Sequence, residues 1–170
     1  MRNIVNFSLM FIGFWASAQV AIGKTEVDGV SALLDFENSS NNTNGIILPS
    51  VDDVQTLSLH NGTFAYDRAS TSVKMYENGN WVDVTDSAAT LPSYYSAPSA
   101  SEVGQGVIIG KETSSAEGVL VLESDDKALI LPHVFRPHDS VEGPYPGMIC
   151  YDTESKSLAV FDGANWHYWK

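Results

Sequence analysis

Short apolar or alternating runs, each bounded by turn-forming residues, recur along the chain. Val119-Leu120-Val121-Leu122, Ala128 to Leu131, Met148 to Tyr151 and Ser157 to Phe161 have the length and spacing of strands. Side chains alternate along a strand, so Leu158 and Val160 fall on one face and Ala159 and Phe161 on the other. Val73 and Met75 oppose Lys74 and Tyr76 in the same way. Arg68-Ala69-Ser70-Thr71 and Thr153-Glu154-Ser155-Lys156 fit hairpin connections, and Glu77-Asn78-Gly79-Asn80 and Asp162-Gly163-Ala164-Asn165 supply the Gly and Asn of tight turns. A three-stranded meander is predicted at each place. Beyond residue 18 no segment sustains a 3.6-residue apolar period over helix length, so a mostly β fold without long helices is expected.

One apolar run is of a different kind. Phe7 to Trp15 follows Arg2 and precedes Ala16-Ser17-Ala18, the order of a cleaved secretory signal covering residues 1–18. The run is too short to cross a bilayer as a helix, and no second one follows. The expectation is an exported, soluble mature chain without a transmembrane anchor, located in the periplasm, at the outer membrane or outside the cell.

The pattern is written twice. Gly62-Thr63-Phe64-Ala65-Tyr66-Asp67 matches Gly147-Met148-Ile149-Cys150-Tyr151-Asp152, and the match runs without a gap to Asn80-Trp81 against Asn165-Trp166. Upstream, Ile22-Gly23-Lys24 recurs as Ile109-Gly110-Lys111, Gly29-Val30 as Gly118-Val119, and Ile46-Ile47-Leu48-Pro49 as Leu129-Ile130-Leu131-Pro132. The offset drifts in polar segments, where loops tolerate length changes. Two tandem β-meander repeats are therefore predicted, unit 1 over 19–85 and unit 2 over 105–170, joined by a Ser/Ala/Pro-rich linker over 86–104. Gly62, Tyr66, Asp67 and Trp81 in unit 1, with Gly147, Tyr151, Asp152 and Trp166 in unit 2, form the repeat motif.

Charge narrows the choice of partners. With 9 basic and 21 acidic residues the net charge is −12, which disfavours nucleic acid, because neutralising phosphates needs clustered Lys and Arg. The single cysteine, Cys150, cannot form an intramolecular disulfide. It takes the place of Ala65 in the other unit, a small-for-small exchange that predicts a buried, inert thiol.

Candidate chemistry is sparse. His133 and His138 with Asp139 could approach a metal, but Pro132 and Pro137 break any helix that would align them, and no third strong ligand stands at a standard metal spacing. Asp52-Asp53 and Asp125-Asp126 lack the pattern of a calcium loop and read as solvated acids. No nucleophile elbow or triad can be assembled, so neither catalysis nor a cofactor is expected. Trp81 and Trp166, repeated in register, read as packing residues. Tyr94, Tyr95, Tyr145 and Trp169 are the candidates for a ligand or partner surface, since aromatic faces can stack on sugar rings. Asn38, Asn41 and Asn61 open N-x-[ST] sequons.

The order of these elements resembles a recurrent exported repeat of Bacteroidetes, also seen in tail-fibre-like proteins. The shared pattern runs I-G, then L-x-P or L-P, then G-M-x-x-Y-D-T and D-G-x-x-W. Unit 2 carries Ile109-Gly110, Leu131-Pro132, Gly147 to Thr153, Asp162-Gly163 and Trp166. Unit 1 carries Ile22-Gly23, Ala32 to Asp35, Leu48-Pro49, Tyr66-Asp67 and Trp81. The family's usual arginine after the proline is replaced by Ser50 and His133. Asp86-Ser87-Ala88 and Asp139-Ser140-Val141 resemble the O-glycosylation acceptor of such exported proteins. The resemblance implies a noncatalytic structural or interaction protein of the cell envelope or surface, with envelope proteins or further copies of itself as partners. A carbohydrate-binding module, with a glycan as ligand, is the alternative.

Overall fold

The computed structural model describes residues 19–57, 60–88, 90–91 and 106–170, so the expected signal sequence and most of the linker lie outside the described residues. The described chain is mostly β. Unit 1 contributes β1 (Val20–Ile22), β2 (Ala32–Phe36), β3 (Ile46–Ile47), β4 (Ser50–Val51), β5 (Phe64–Asp67), β6 (Ser72–Glu77) and β7 (Asn80–Asp83). Unit 2 contributes β8 (Val107–Ile109), β9 (Leu120–Leu122), β10 (Ala128–Leu129), β11 (His133–Val134), β12 (Met148–Asp152), β13 (Ser157–Phe161) and β14 (Trp166–Trp169). Helix is confined, among the described residues, to a 3₁₀ turn at Val54–Thr56 and the single turn α1 (Pro137–Ser140).

Pairing repeats strand for strand. In unit 1, β1 runs parallel to β2, β4 parallel to β5, and β5-β6-β7 form an antiparallel meander. Unit 2 repeats this with β8 and β9, β11 and β12, and β12-β13-β14. The β5–β6 and β12–β13 turns place Thr71 (φ 53°) and Lys156 (φ 56°) in the same left-handed conformation. Asn78 and Gly79 both have positive φ at the β6–β7 turn, as a two-residue hairpin loop requires. The two parallel pairings lie outside what alternation predicts, because strands of two or three residues carry no legible period.

The ladders correct one part of the sequence alignment. Glu37 N–H donates to the Ile22 carbonyl at 2.9 Å, and Glu123 N–H donates to the Ile109 carbonyl at the same distance. With Ile22 opposite Phe36 and Ile109 opposite Leu122, Leu33 and Leu34 occupy the positions of Val119 and Leu120. Gly118-Val119 therefore corresponds to Ala32-Leu33, not to Gly29-Val30, because the paired residues Ile109 and Leu122 are one residue closer in sequence than Ile22 and Phe36.

The units do not sit side by side as closed modules. The third strand of each pairs with the other unit: β3 lies antiparallel on β12, and β10 lies parallel on β2. Between the meanders runs one apolar core, in which Leu48, Tyr66, Val73 and Val84 of unit 1 meet Ile149 and Val160 of unit 2. A smaller cluster of Val134, Cys150 and Ala159 fills the other face of the second meander. Burial of these side chains contributes roughly 1.5–3 kcal/mol for each large one.

Candidate functional site

The repeat-motif residues build the scaffold. Gly62 (φ 89°) and Gly147 (φ 83°) occupy a backbone region that L side chains rarely adopt. Asp67 accepts from the Ala69 N–H at 3.2 Å and the Ser70 hydroxyl at 2.7 Å. Asp152 accepts from the N–H groups of Glu154 (3.0 Å), Ser155 (3.3 Å) and Arg136 (3.1 Å). A carboxylate in this position closes the hairpin turn, which gives the repeated Asp of the motif a structural role. Burial pushes the Asp152 carboxyl upward, but the Ser155 hydroxyl and the three N–H groups outweigh it and hold the group below the ordinary carboxylate range.

Trp81 and Trp166 each meet an aromatic neighbour in the same cross-strand position. Trp81 packs edge-on against Tyr76, its cross-strand neighbour, at 5.4 Å between ring centroids. Trp166 packs against Phe161, its own cross-strand neighbour, at the same distance. The two tyrosines of the motif diverge. Tyr66 is fully buried and donates to the Asp162 carbonyl at 2.9 Å, whereas Tyr151 is half-buried against the His133 ring.

Of the candidate surface residues, Tyr94 and Tyr95 lie outside the described residues. Tyr145 is half-buried rather than exposed, and its carbonyl accepts from the Met148 N–H at 2.9 Å. Trp169 is exposed, with its indole N–H donating to the Val84 carbonyl at 2.7 Å. Nearby, His138 Nδ1 and the Tyr168 hydroxyl lie 2.9 Å apart. Burial, with the negative charge of Asp152 second, pushes the Tyr168 phenol up to about 12.

The other polar candidates resolve into local structure. Cys150 is fully buried, and burial together with nearby Asp152 pushes its thiol up to about 12. Asp53 caps the 3₁₀ turn through the Gln55 N–H, and Asp52 pairs with Arg68. Asp125 lies 3.3 Å from Lys111. Among the described residues no group of three or more His, Cys, Asp or Glu is placed to hold a metal. Asp35 is buried and reaches Lys24 Nζ at 2.6 Å and the Asp28 N–H at 2.6 Å. Val121 replaces it in unit 2, so this ion pair belongs to one unit only.

Among the described residues two exposed surfaces combine apolar side chains with open polar or backbone groups. One is a recess of about 320 Å3 lined by Asn38, Ser39, Ser40, His133, Phe135 and Thr153. Phe135 is exposed there, beside hydroxyl and amide groups. The other is the set of exposed apolar strands. Ile47 on β3, Val107 and Ile108 on β8, Val119 and Leu120 at β9, and Leu129 on β10 all present large side chains to solvent. The sequence pattern marks Val119–Leu122 and Ala128–Leu131 as ordinary strands and gives no strand at Ile47 or at Val107-Ile108. Their apolar character was visible, but which copy of a repeated strand is covered depends on the strand exchange between units.

Comparisons with family models, with curated proteins and with solved structures find no match. Among the described residues no helix is long and apolar enough to cross a membrane.

Proposed function

We propose that this chain is a noncatalytic, exported structural or interaction protein of a bacterial cell envelope or surface assembly. The observation that carries this reading is the set of exposed apolar residues on or beside strands β3, β8, β9 and β10. Exposed strand edges beside apolar side chains are a liability in a free protein and are met in nature by pairing with another chain or by cover. The resemblance to exported Bacteroidetes repeats supports the same reading, and so does the use of the motif carboxylates as turn closers. Cell fractionation followed by crosslinking and affinity recovery from the host envelope tests it. Recovery in the envelope or medium with protein partners is expected; a chain confined to the cytoplasm, or one that turns over a small-molecule substrate, overturns it.

Carbohydrate binding is a second reading, favoured by the recess that sets Phe135 beside Asn38, Ser39 and Ser40. A glycan array decides it: binding lost on Phe135→Ala supports the module, and uniform absence of binding removes it.

A further inference from the structure

The exchange of strands between the units leaves matched vacancies. Within the chain, β10 covers β2, and Leu33 and Leu34 are 2% and 1% exposed. Their counterparts Val119 and Leu120 are 47% and 45% exposed. Both pairs are aliphatic and hold the same ladder positions, and β2 has a covering strand where β9 has none among the described strands. The covering element is the third strand of the following unit, and among the described strands β9 pairs with β8 alone.

The opposite half of the exchange is incomplete in the complementary way. β3 docks on Met148 and Ile149 of β12, with the Leu48 N–H donating to the Gly147 carbonyl at 3.0 Å. The equivalent positions at the start of β5, Thr63 and Phe64, have no third-strand partner among the described strands. β10 meets β2 through the N–H groups of Ala128 and Ile130, which donate to Ser31 (2.7 Å) and Leu34 (2.9 Å). Those positions correspond to Gly45 and Ile47, whereas β3 meets β12 through the positions of Ile46 and Leu48. Backbone groups alternate sides along a strand, so β3 and β10 use opposite edges, and each leaves open the edge that the other fills. The surroundings agree. A Cβ on Gly110 would stand 3.2 Å from Leu33 Cδ1, and neighbouring Ile109 is half-buried, while its counterpart Ile22 is exposed.

We infer that unit 2 of one copy receives unit 1 of a second copy, repeating between chains the contact already made within one. β3 of the second copy lies parallel along β9 of the first and covers Val119 and Leu120. β10 of the first copy pairs antiparallel with Thr63–Phe64 of the second. Donor and receiver faces are different surfaces, so the contact is heterologous and propagates from copy to copy instead of ending in a two-fold dimer. This deepens, and rests on, the assembly reading above.

Sedimentation and light scattering of the full chain test it with Ile47→Asp, which spoils the donor face, and Val119→Asp, which spoils the receiver face. Both positions are exposed, and circular dichroism with thermal melts verifies that each variant folds. The wild-type mass is expected to rise with concentration. Each variant alone is expected to stay monomeric at concentrations at least ~10-fold above the onset of wild-type association, since a charge is forced against an apolar strand. An equimolar mixture of the two is expected to form a 1:1 dimer, because one partner keeps an intact receiver face and the other an intact donor face. A monomeric wild type, association unchanged in either folded variant, or a mixture that stays monomeric overturns the inference. A monomer recovered with envelope partners overturns self-assembly while leaving the proposed function standing; a self-associating chain confined to the cytoplasm does the reverse.

Discussion

Tyr66 donates its phenolic hydrogen to the carbonyl oxygen of Asp162 at 2.9 Å, across 96 residues of sequence and from one unit to the other. The ring is fully buried, and its Cβ lies 3.1 Å from where a Cβ on Gly147 would stand. One side chain thus joins the first meander to the turn that ends β13.

Removing that hydroxyl isolates the bond. Tyr66→Phe keeps the ring and leaves the buried Asp162 carbonyl short of a partner, so a loss of about 1–3 kcal/mol in folding stability is expected. Urea unfolding checks it, and a change within a few tenths of a kcal/mol would show that the junction does not depend on this bond.

The two motif glycines should respond differently to the same substitution. Gly62→Ala and Gly147→Ala both place a side chain in the left-handed region, at roughly 1–2 kcal/mol each. At Gly62 the added methyl meets open space, whereas at Gly147 it presses on Tyr66. The second variant is expected to lose at least ~1 kcal/mol more, through overpacking. Equal losses in denaturant melts would mean that the Tyr66 contact relaxes freely.

Cys150 is fully buried with its thiol pushed up to about 12, first by burial and second by Asp152. Reagents that attack the thiolate should label the native chain slowly at neutral pH and the urea-unfolded chain at the rate of an ordinary cysteine. Comparable rates in the two states would show that the Val134–Ala159 cluster opens readily.

Acid should weaken the fold. In Asp35 burial raises the carboxyl, but Lys24 and the Asp28 N–H outweigh it; in Asp83 the Lys74 ammonium is the leading influence; and both groups, like Asp152, titrate below the ordinary value. A carboxyl depressed in the folded state contributes stability that is complete above its unfolded pKa, about 4, and is lost as pH falls through the lower folded value. Urea midpoints are therefore expected to be level from neutral pH down to about 4 and to fall in more acid solution. Asp152→Asn should flatten part of that decline; an unchanged acid limb would remove Asp152 as a contributor.

Much of the fold was legible because its meanders are local. Asn78-Gly79 announces a hairpin by its conformational needs, and the unbroken offset between Gly62–Trp81 and Gly147–Trp166 makes each copy evidence for the other. Trp81 and Trp166 accordingly meet aromatic neighbours in the same cross-strand position. The strand exchange was not legible. β3 and β10 are two residues long, too short for any period, and their choice of β12 and β2 is settled by long-range geometry. The exposed positions Val119 and Leu120 stayed hidden for the same reason, since their sequence differs little in character from that of buried Leu33 and Leu34.

By covalent order β3 and β10 belong to one half of the chain, and by hydrogen bonding to the other. Breaking the peptide backbone between residues 92 and 105 would thus leave two pieces still laced together, while either piece made alone would lack a strand its partner supplies. Separately produced fragments 19–91 and 106–170 should therefore fold on mixing, as a complementing pair, and not as two independent beads on a string.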